Sequence, residues 1–277
     1  MPFTLSHAAL ALPVVRTSYF GVAAIAMMAP DLPLYMQWLW CYCVTHEYPT
    51  MFTVGIPVAF LLVLVWRMVL RPVLVEFLPD SVNERLPGSW STNWSDGWFS
   101  LWGGRGARWT QRLRAVASLL LALAVGVSTH VLWDEFTHAD RWGSEVFPWL
   151  ASVVFGLPVE RWFQISFSVL GLALLLWVAW RYLRQTAPAQ QHRRVLPGWF
   201  RPAFWIAVVA APVGTLTYSL VRHGGPGAGE SWLSFVISAG IRGGTLVLVG
   251  TAVLTLAVVV VRSRAGVLRW NGVPREA

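Results

Sequence analysis

Residues 115–133 read AVASLLLALAVGVSTHVLW, with no Asp, Glu, Lys or Arg among them. A run of that length matches the roughly 20 apolar residues an α-helix needs to cross the hydrocarbon core of a bilayer. At such depth every backbone N–H and C=O must be satisfied within the protein, so a lone apolar segment is read as a helix. Residues 52–70, 163–180, 203–221 and 243–261 are of similar length and apolar character. The predicted fold is therefore all-α: a polytopic transmembrane helical bundle.

Composition points the same way. Hydrophobic residues make up 56% of the chain and charged residues only 12%, against about 25% charged in a soluble domain. A water-facing surface cannot be built from so few charges, and residues 1–277 read as a single integral membrane domain. The formal charge is +8, and all 21 basic residues are arginines. They gather between the apolar runs, a pattern that sets topology and argues against nucleic-acid binding. Cys41 and Cys43 are separated by two, a spacing that suits neither an easy disulfide nor a CxxC metal or redox pair.

The first 44 residues are apolar but interrupted by Pro13, Arg16, Pro30-Asp31 and Pro33. The resulting pieces of about 11 to 13 residues are too short to span, and proline interrupts helices. They predict broken or re-entrant N-terminal helices, tolerated at membrane depth only where buried in protein or lining a polar cavity. The opening residues lack the basic n-region of a secretory signal and are expected to stay with the mature chain.

Arginines cluster in 71–114, in 181–201 and after 261, where Arg262, Arg264, Arg269 and Arg275 fall. The positive-inside rule makes these three segments cytoplasmic and puts 44–51, 134–162 and 222–232 outside. The expected location is the cytoplasmic (inner) membrane, multi-pass, with membrane lipids as neighbours. Within 71–114, Trp90, Trp94, Trp98, Trp102 and Trp109 recur at a spacing near four, predicting an aromatic stripe at headgroup level.

The chemistry-bearing residues collect at one face. His130, Asp134 and His138 stand at i, i+4 and i+8, so on a continuing helix all three point into one cavity. Imidazole nitrogen with carboxylate oxygen suits a divalent Zn, Mn or Fe ion. Thr45-His46-Glu47 reaches the same predicted face. Asp31 lies between apolar stretches, where an ionised carboxylate costs about 2.5–3.5 kcal/mol at a helix centre. His7 joins the group if residues 4–29 dip into the membrane and return, and is stranded opposite if they cross it once. Glu47 and Glu135, beside the candidate ligands, are candidate general bases. Gln164 opens the 163–180 span and is a candidate substrate or supporting donor, and Arg242, at the outer boundary of the last span, is a candidate for binding an anionic substrate group. The competing structural reading is a polar network in which His–Asp hydrogen bonds pin helices together. His192 and His223 read as interfacial or hydrogen-bonded residues.

Several of these segments together resemble a bacterial membrane family catalogued as domain-of-unknown-function family 4184. They are Met1-Pro-Phe-Thr-Leu-Ser-His7-Ala-Ala, Met28-Ala-Pro-Asp31-Leu-Pro, Thr45-His46, Thr129-His130-Val-Leu-Trp-Asp134-Glu-Phe-Thr-His138 and Leu157-Pro-Val-Glu-Arg-Trp-Phe-Gln164. That family is distantly similar to membrane-bound proteins labelled metal-dependent hydrolases, which share a His, Pro-Asp, Thr-His and His-x3-Asp pattern. The resemblance implies metal-binding roles for His7, Asp31, His46, His130 and Asp134, with His138 fitting the narrower family. Glu47 departs from it, since a small polar residue is expected after His46.

The function expected from these readings is metal-dependent hydrolysis of a lipid or lipid-linked ester or phosphoester. The alternative is a non-enzymatic membrane protein, either a proton or metal transporter or a structural scaffold. The topology is directly testable with single cysteines in a background lacking Cys41 and Cys43. An impermeant thiol reagent added outside should modify Glu145→Cys and spare Trp90→Cys; the opposite pattern would invert the orientation.

Overall fold

The computed structural model describes residues 4–36, 38, 41–87, 90, 94–189, 192–228 and 231–268. Arg269 and Arg275, counted above toward the cytoplasmic tail, lie outside them. Five helices among these residues are long and apolar enough to cross a membrane. We label the helices α1 (Thr4–Val14), α2 (Phe20–Tyr35), α3 (Met51–Leu74), α4 (Trp109–Thr137), α5 (Val159–Gln185), α6 (Phe200–His223) and α7 (Trp232–Arg264). The only strands among the described residues are a two-residue pair, Val153–Val154 with Leu157–Pro158. The chain is a membrane-embedded, multi-pass helical protein.

The helices overrun the apolar stretches because hydropathy marks only the bilayer core. α4 begins where the Gln111 side chain accepts the Arg108 N–H, and Ser231 caps α7 by accepting from the Ser234 N–H, each meeting a backbone donor that a helix start leaves unpaired. Gly224, in the left-handed region at φ 73°, stops α6. In α3, π-turns at Met51–Gly55 and Trp66–Leu70 flank a regular centre.

The described residues form two compact units. The first comprises 1–33, 40–65 and 98–187, and the second 34–39, 66–97 and 188–277. In the first, α1 and α2 form the broken N-terminal hairpin. The Ala29–Asp31 turn inside α2 is 3-10: Pro33 has no N–H to offer the Ala29 carbonyl, and the Leu32 N–H takes it instead. Ala26, Val22 and Ala29 of α2 share a buried core with Ala59 and Val63 of α3 and Leu119, Leu123 and Val127 of α4.

Gly126 sets the approach of α2 to α4, since a Cβ there would sit 2.5 Å from the Ala26 Cβ and 3.0 Å from the Ala23 carbonyl oxygen. Gly171 does the same for α5 against α1, where a Cβ would lie 2.9 Å from Ser6. Small residues that let backbones touch are how apolar helices associate inside lipid, where burying apolar surface gains little.

In the second unit the buried polar anchor is Glu76, which the sequence reading passed over. Its carboxylate pairs with Arg262 and accepts the backbone N–H of Val195 at 3.0 Å and of Leu196 at 3.1 Å. Both side chains are essentially inaccessible, at 0% and 1% exposure. Arg262, counted above among the arginines of the cytoplasmic tail, is an internal cross-link that also donates to the Arg193 carbonyl.

Two further expectations change. The tryptophan stripe requires one continuous helix, but the helical stretch Trp94–Leu101 ends before Gly103 and Gly104, both at positive φ. Trp102 consequently turns onto Phe60 in the core, Trp90 packs edge-on against Trp66, and Trp109 is exposed. The two cysteines, read as unsuited to pairing, are joined as a disulfide, their Cα atoms 5.3 Å apart and so within bridging range.

Removing one partner of a buried ion pair strands the other charge, at a cost of about 3–5 kcal/mol. Glu76→Ala should therefore lower the Tm of the purified protein far more than Asp80→Ala, whose largely exposed carboxylate pairs with Arg194 and contributes about 0–1 kcal/mol. Equal shifts in thermal melts would contradict the anchoring role.

Candidate metal centre

The site lies wholly within the first unit. His130 and Asp134 project from the C-terminal part of α4, one turn apart. Asp31 comes from the 3-10 turn of α2, and His46 ends the short helix Cys43–His46. All four are buried, and one ligand atom from each lies within 4.8 Å of the others. The imidazole Nε2 atoms of His46 and His130 are 3.1 Å apart. Asp134 Oδ2 lies 3.5 Å from both, and Asp31 Oδ1 lies 3.6 Å from His130 Nε2 and 3.9 Å from His46 Nε2.

Backbone carbonyls decide which ring nitrogens face this point. His130 Nδ1 is 2.5 Å from the Met27 carbonyl oxygen, across the α2–α4 contact that Gly126 permits. His46 Nδ1 is 3.2 Å from the Tyr42 carbonyl and 3.0 Å from Thr45 Oγ1. A carbonyl only accepts, so Nδ1 of each ring carries a proton, and in a neutral ring Nε2 then presents a lone pair. Burial depresses the basicity of His46, keeping the ring neutral. Two lone pairs facing each other at hydrogen-bond distance repel unless a proton or a cation stands between them.

The neighbouring atoms fit a cation. Asp31 Oδ1, Asp134 Oδ1 and His7 Nε2 are buried without a hydrogen-bond partner among the described residues, a rare and costly condition for polar atoms. Their other contacts hold the carboxylates in place: Thr4 donates to Asp31 Oδ2 at 2.8 Å and Tyr42 donates to Asp134 Oδ2 at 3.1 Å. Burial and the adjacent Asp134 push the Tyr42 phenol up, so it stays a donor. Thr45 donates to the Pro30 carbonyl at 2.8 Å, linking the His46 turn to the Asp31 turn. Two imidazole nitrogens and two carboxylates, each steadied by a second hydrogen bond, form a donor set suited to Zn, Mn or Fe.

The remaining candidates divide. His7 is brought in, because α1 and α2 fold against each other as a hairpin: its Nε2 lies 3.6 Å from Asp134 Oδ1 and its ring stacks on His130 at 4.0 Å. His138 is held differently from the expectation. α4 stops at Thr137 and His138 is extended (φ −127°, ψ 141°), so the i+8 alignment fails. Its Nδ1 faces the Asp134 carbonyl at 3.1 Å and its Nε2 accepts from the Gln164 amide at 3.1 Å. Burial lowers its pKa to about 4, and with both nitrogens engaged His138 braces Asp134 and leaves the ligand group to others. Gln164 is thereby a supporting residue, its Oε1 taken by Arg161.

Neither glutamate proposed as a base faces the cluster through a contact in the structure. Glu47 is exposed, and the Glu135 carboxylate accepts the Trp142 N–H at 2.9 Å and pairs with Arg141 at 3.7 Å, fixing the turn after α4. Arg242 belongs to the second unit, where it donates to Ser219 Oγ at 2.9 Å. Sequence reasoning missed Tyr42. Its i, i+4 relation to His46, with rings stacked at 3.6 Å, was the available signal.

No curated protein and no solved structure matches the chain. A family model does, described as "Domain of unknown function (DUF4184)" and covering residues 1–256. The helical fold and the buried His/Asp cluster lie almost entirely inside that match, and the chain belongs to the DUF4184 family.

Proposed function

We propose that this protein is a metal-dependent hydrolase of the cytoplasmic membrane that cleaves an ester or phosphoester in a lipid or lipid-linked substrate. The observation that carries the reading is the pair of Nε2 atoms 3.1 Å apart, their rings oriented by backbone carbonyls, meeting two buried carboxylates at one point. A divalent ion held by His46, His130, Asp31 and Asp134 would lower the pKa of water and polarise the scissile bond. The chain's own groups supply the rest. Tyr42, Thr4 and His138 hold the two carboxylates and their backbone in register. His7 Nε2, beside Asp134 and without a hydrogen-bond partner among the described residues, is a further imidazole nitrogen at the edge of the group.

The lipid character of the substrate is supported by a cavity of about 240 Å³ on which His7 opens, walled by Leu10, Trp133, Phe167, Leu170 and Leu174. Leu170 and Leu174 are exposed on the apolar surface of α5, so an acyl chain can enter from the bilayer while its polar end meets His7. The competing account is a metal-free polar network that only pins helices.

Protein purified without chelator after Zn, Mn or Fe supplementation should carry about one ion per chain. His130→Ala and Asp134→Ala should lose both the ion and the hydrolysis of a long-chain p-nitrophenyl ester or phosphodiester. Tyr42→Phe should keep the fold and weaken metal affinity about 10–100-fold. Full metal content with no hydrolysis of any lipid ester would leave a metal site and remove the enzyme. Hydrolysis that survives His130→Ala would remove the proposed centre.

A further inference from the structure

In the second unit, α6 and α7 run antiparallel in close contact. A Cβ on Gly243 would lie 2.3 Å from the Pro212 Cα, and Thr215 Oγ1 donates to the Ala239 carbonyl at 2.9 Å. This register brings Arg242, set in an otherwise apolar part of α7, beside the outer turns of α6. Long side chains on a helix lean toward its N-terminus, and the Arg242 guanidinium reaches outward to Ser219 Oγ. Among the described residues that hydroxyl is its one hydrogen-bond partner, and no carboxylate pairs with it. Five N–H donors on a planar cation are thus matched by one neutral oxygen.

Arg242 lines a cavity of about 550 Å³. Ser219 and His223, one turn apart on α6, share its polar part, while Leu34, Trp38 and Leu246 supply apolar wall. Three hydroxyls of the lining are already committed to carbonyls: Thr215 to Ala239, Ser219 to Thr215 and Thr245 to Tyr35. The one charged group of the lining is therefore Arg242, accompanied by the Tyr218 hydroxyl and the His223 ring and set next to a surface that suits hydrocarbon. A guanidinium facing lipid without a counter-ion calls for an anion, and its forked donors match the oxygens of a phosphate.

We propose that this cavity binds an anionic amphiphile, with a phosphate group on the Arg242 guanidinium and an acyl chain along Leu34, Trp38 and Leu246. The site is complete within the second unit and stands whether or not the metal centre is catalytic. The same phosphate chemistry is offered by an acidic phospholipid and by free phosphate, and the two are separable.

Delipidated protein in mild detergent is titrated with phosphatidylglycerol, phosphatidylcholine and inorganic phosphate, and bound species are counted by native mass spectrometry. One phosphatidylglycerol per chain should saturate, at least about tenfold tighter than phosphatidylcholine, as expected for charge-assisted hydrogen bonds. Arg242→Gln should abolish that preference. Leu246→Trp, which narrows the apolar part and leaves the cation in place, should weaken phosphatidylglycerol as well, and this variant decides the matter if Arg242→Gln melts early. Non-saturating binding without headgroup preference, or a preference that survives Arg242→Gln, would mean that Arg242 merely extends to the headgroup layer and would overturn the site. Displacement by micromolar inorganic phosphate, with Leu246→Trp inert, would assign the cavity to free phosphate and overturn the amphiphile.

Discussion

The hydrogen bond from His130 Nδ1 to the Met27 carbonyl joins the fold to the chemistry. It exists because α2 and α4 touch at Gly126 and Ala26, one helical turn from His130. It fixes the ring, assigns the proton to Nδ1 and turns the Nε2 lone pair toward His46, Asp31 and Asp134. The same contact buries the α2 face that carries the Ala29–Asp31 turn, so the carboxylate of Asp31 and the imidazole of His130 are delivered together. The broken N-terminal hairpin is a structural requirement of the site: a regular helix through Pro30 and Pro33 would neither shape the Asp31 turn nor expose the Pro30 carbonyl to Thr45.

Polar groups at this depth are stabilised only by one another, and in the first unit they are arranged in two layers. The inner layer is a set of acceptors, two ring nitrogens and two carboxylates, crowded within a few ångströms. The outer layer is mostly donors and carbonyls: Thr4, Tyr42, Thr45, Met27 and the His138–Gln164 pair. An arrangement made only to pin helices would pair inner donors with inner acceptors. Here, with both rings neutral, acceptors face acceptors, an arrangement that a cation would stabilise. Glu76 and Arg262 in the second unit illustrate the contrast, since there a buried carboxylate is matched by a guanidinium and two backbone N–H groups.

Much of this was legible in the sequence, for identifiable reasons. Spans are read from composition over about 20 residues, and all five recur as α3 to α7 with longer ends. His130 and Asp134 share one helix, so their i, i+4 spacing sufficed, and the prolines around Asp31 announced the break in α2. Relations that depend on where a helix stops, or on partners far apart in the chain, were not legible. His138 follows the end of α4 by one residue, and that end carries no strong stop signal in Asp-Glu-Phe-Thr. Glu76 and Arg262 are 186 residues apart, beyond any periodicity. Tyr42 sits in an aromatic run that masks its relation to His46. The tryptophan spacing in 71–114 misled because it presumed a helix that Gly103 and Gly104 end.

The central claim is that the four inner acceptors enclose one divalent ion, and X-ray absorption at the metal edge of zinc-supplemented protein addresses it most directly. The account predicts a first coordination shell of nitrogen and oxygen at about 2.0–2.2 Å, with the multiple-scattering signature of two imidazoles, reduced to one in His46→Ala. A sulfur-containing shell, a hexa-aqua spectrum, or no bound zinc in protein that melts cooperatively would contradict it and leave the cluster as a structural network.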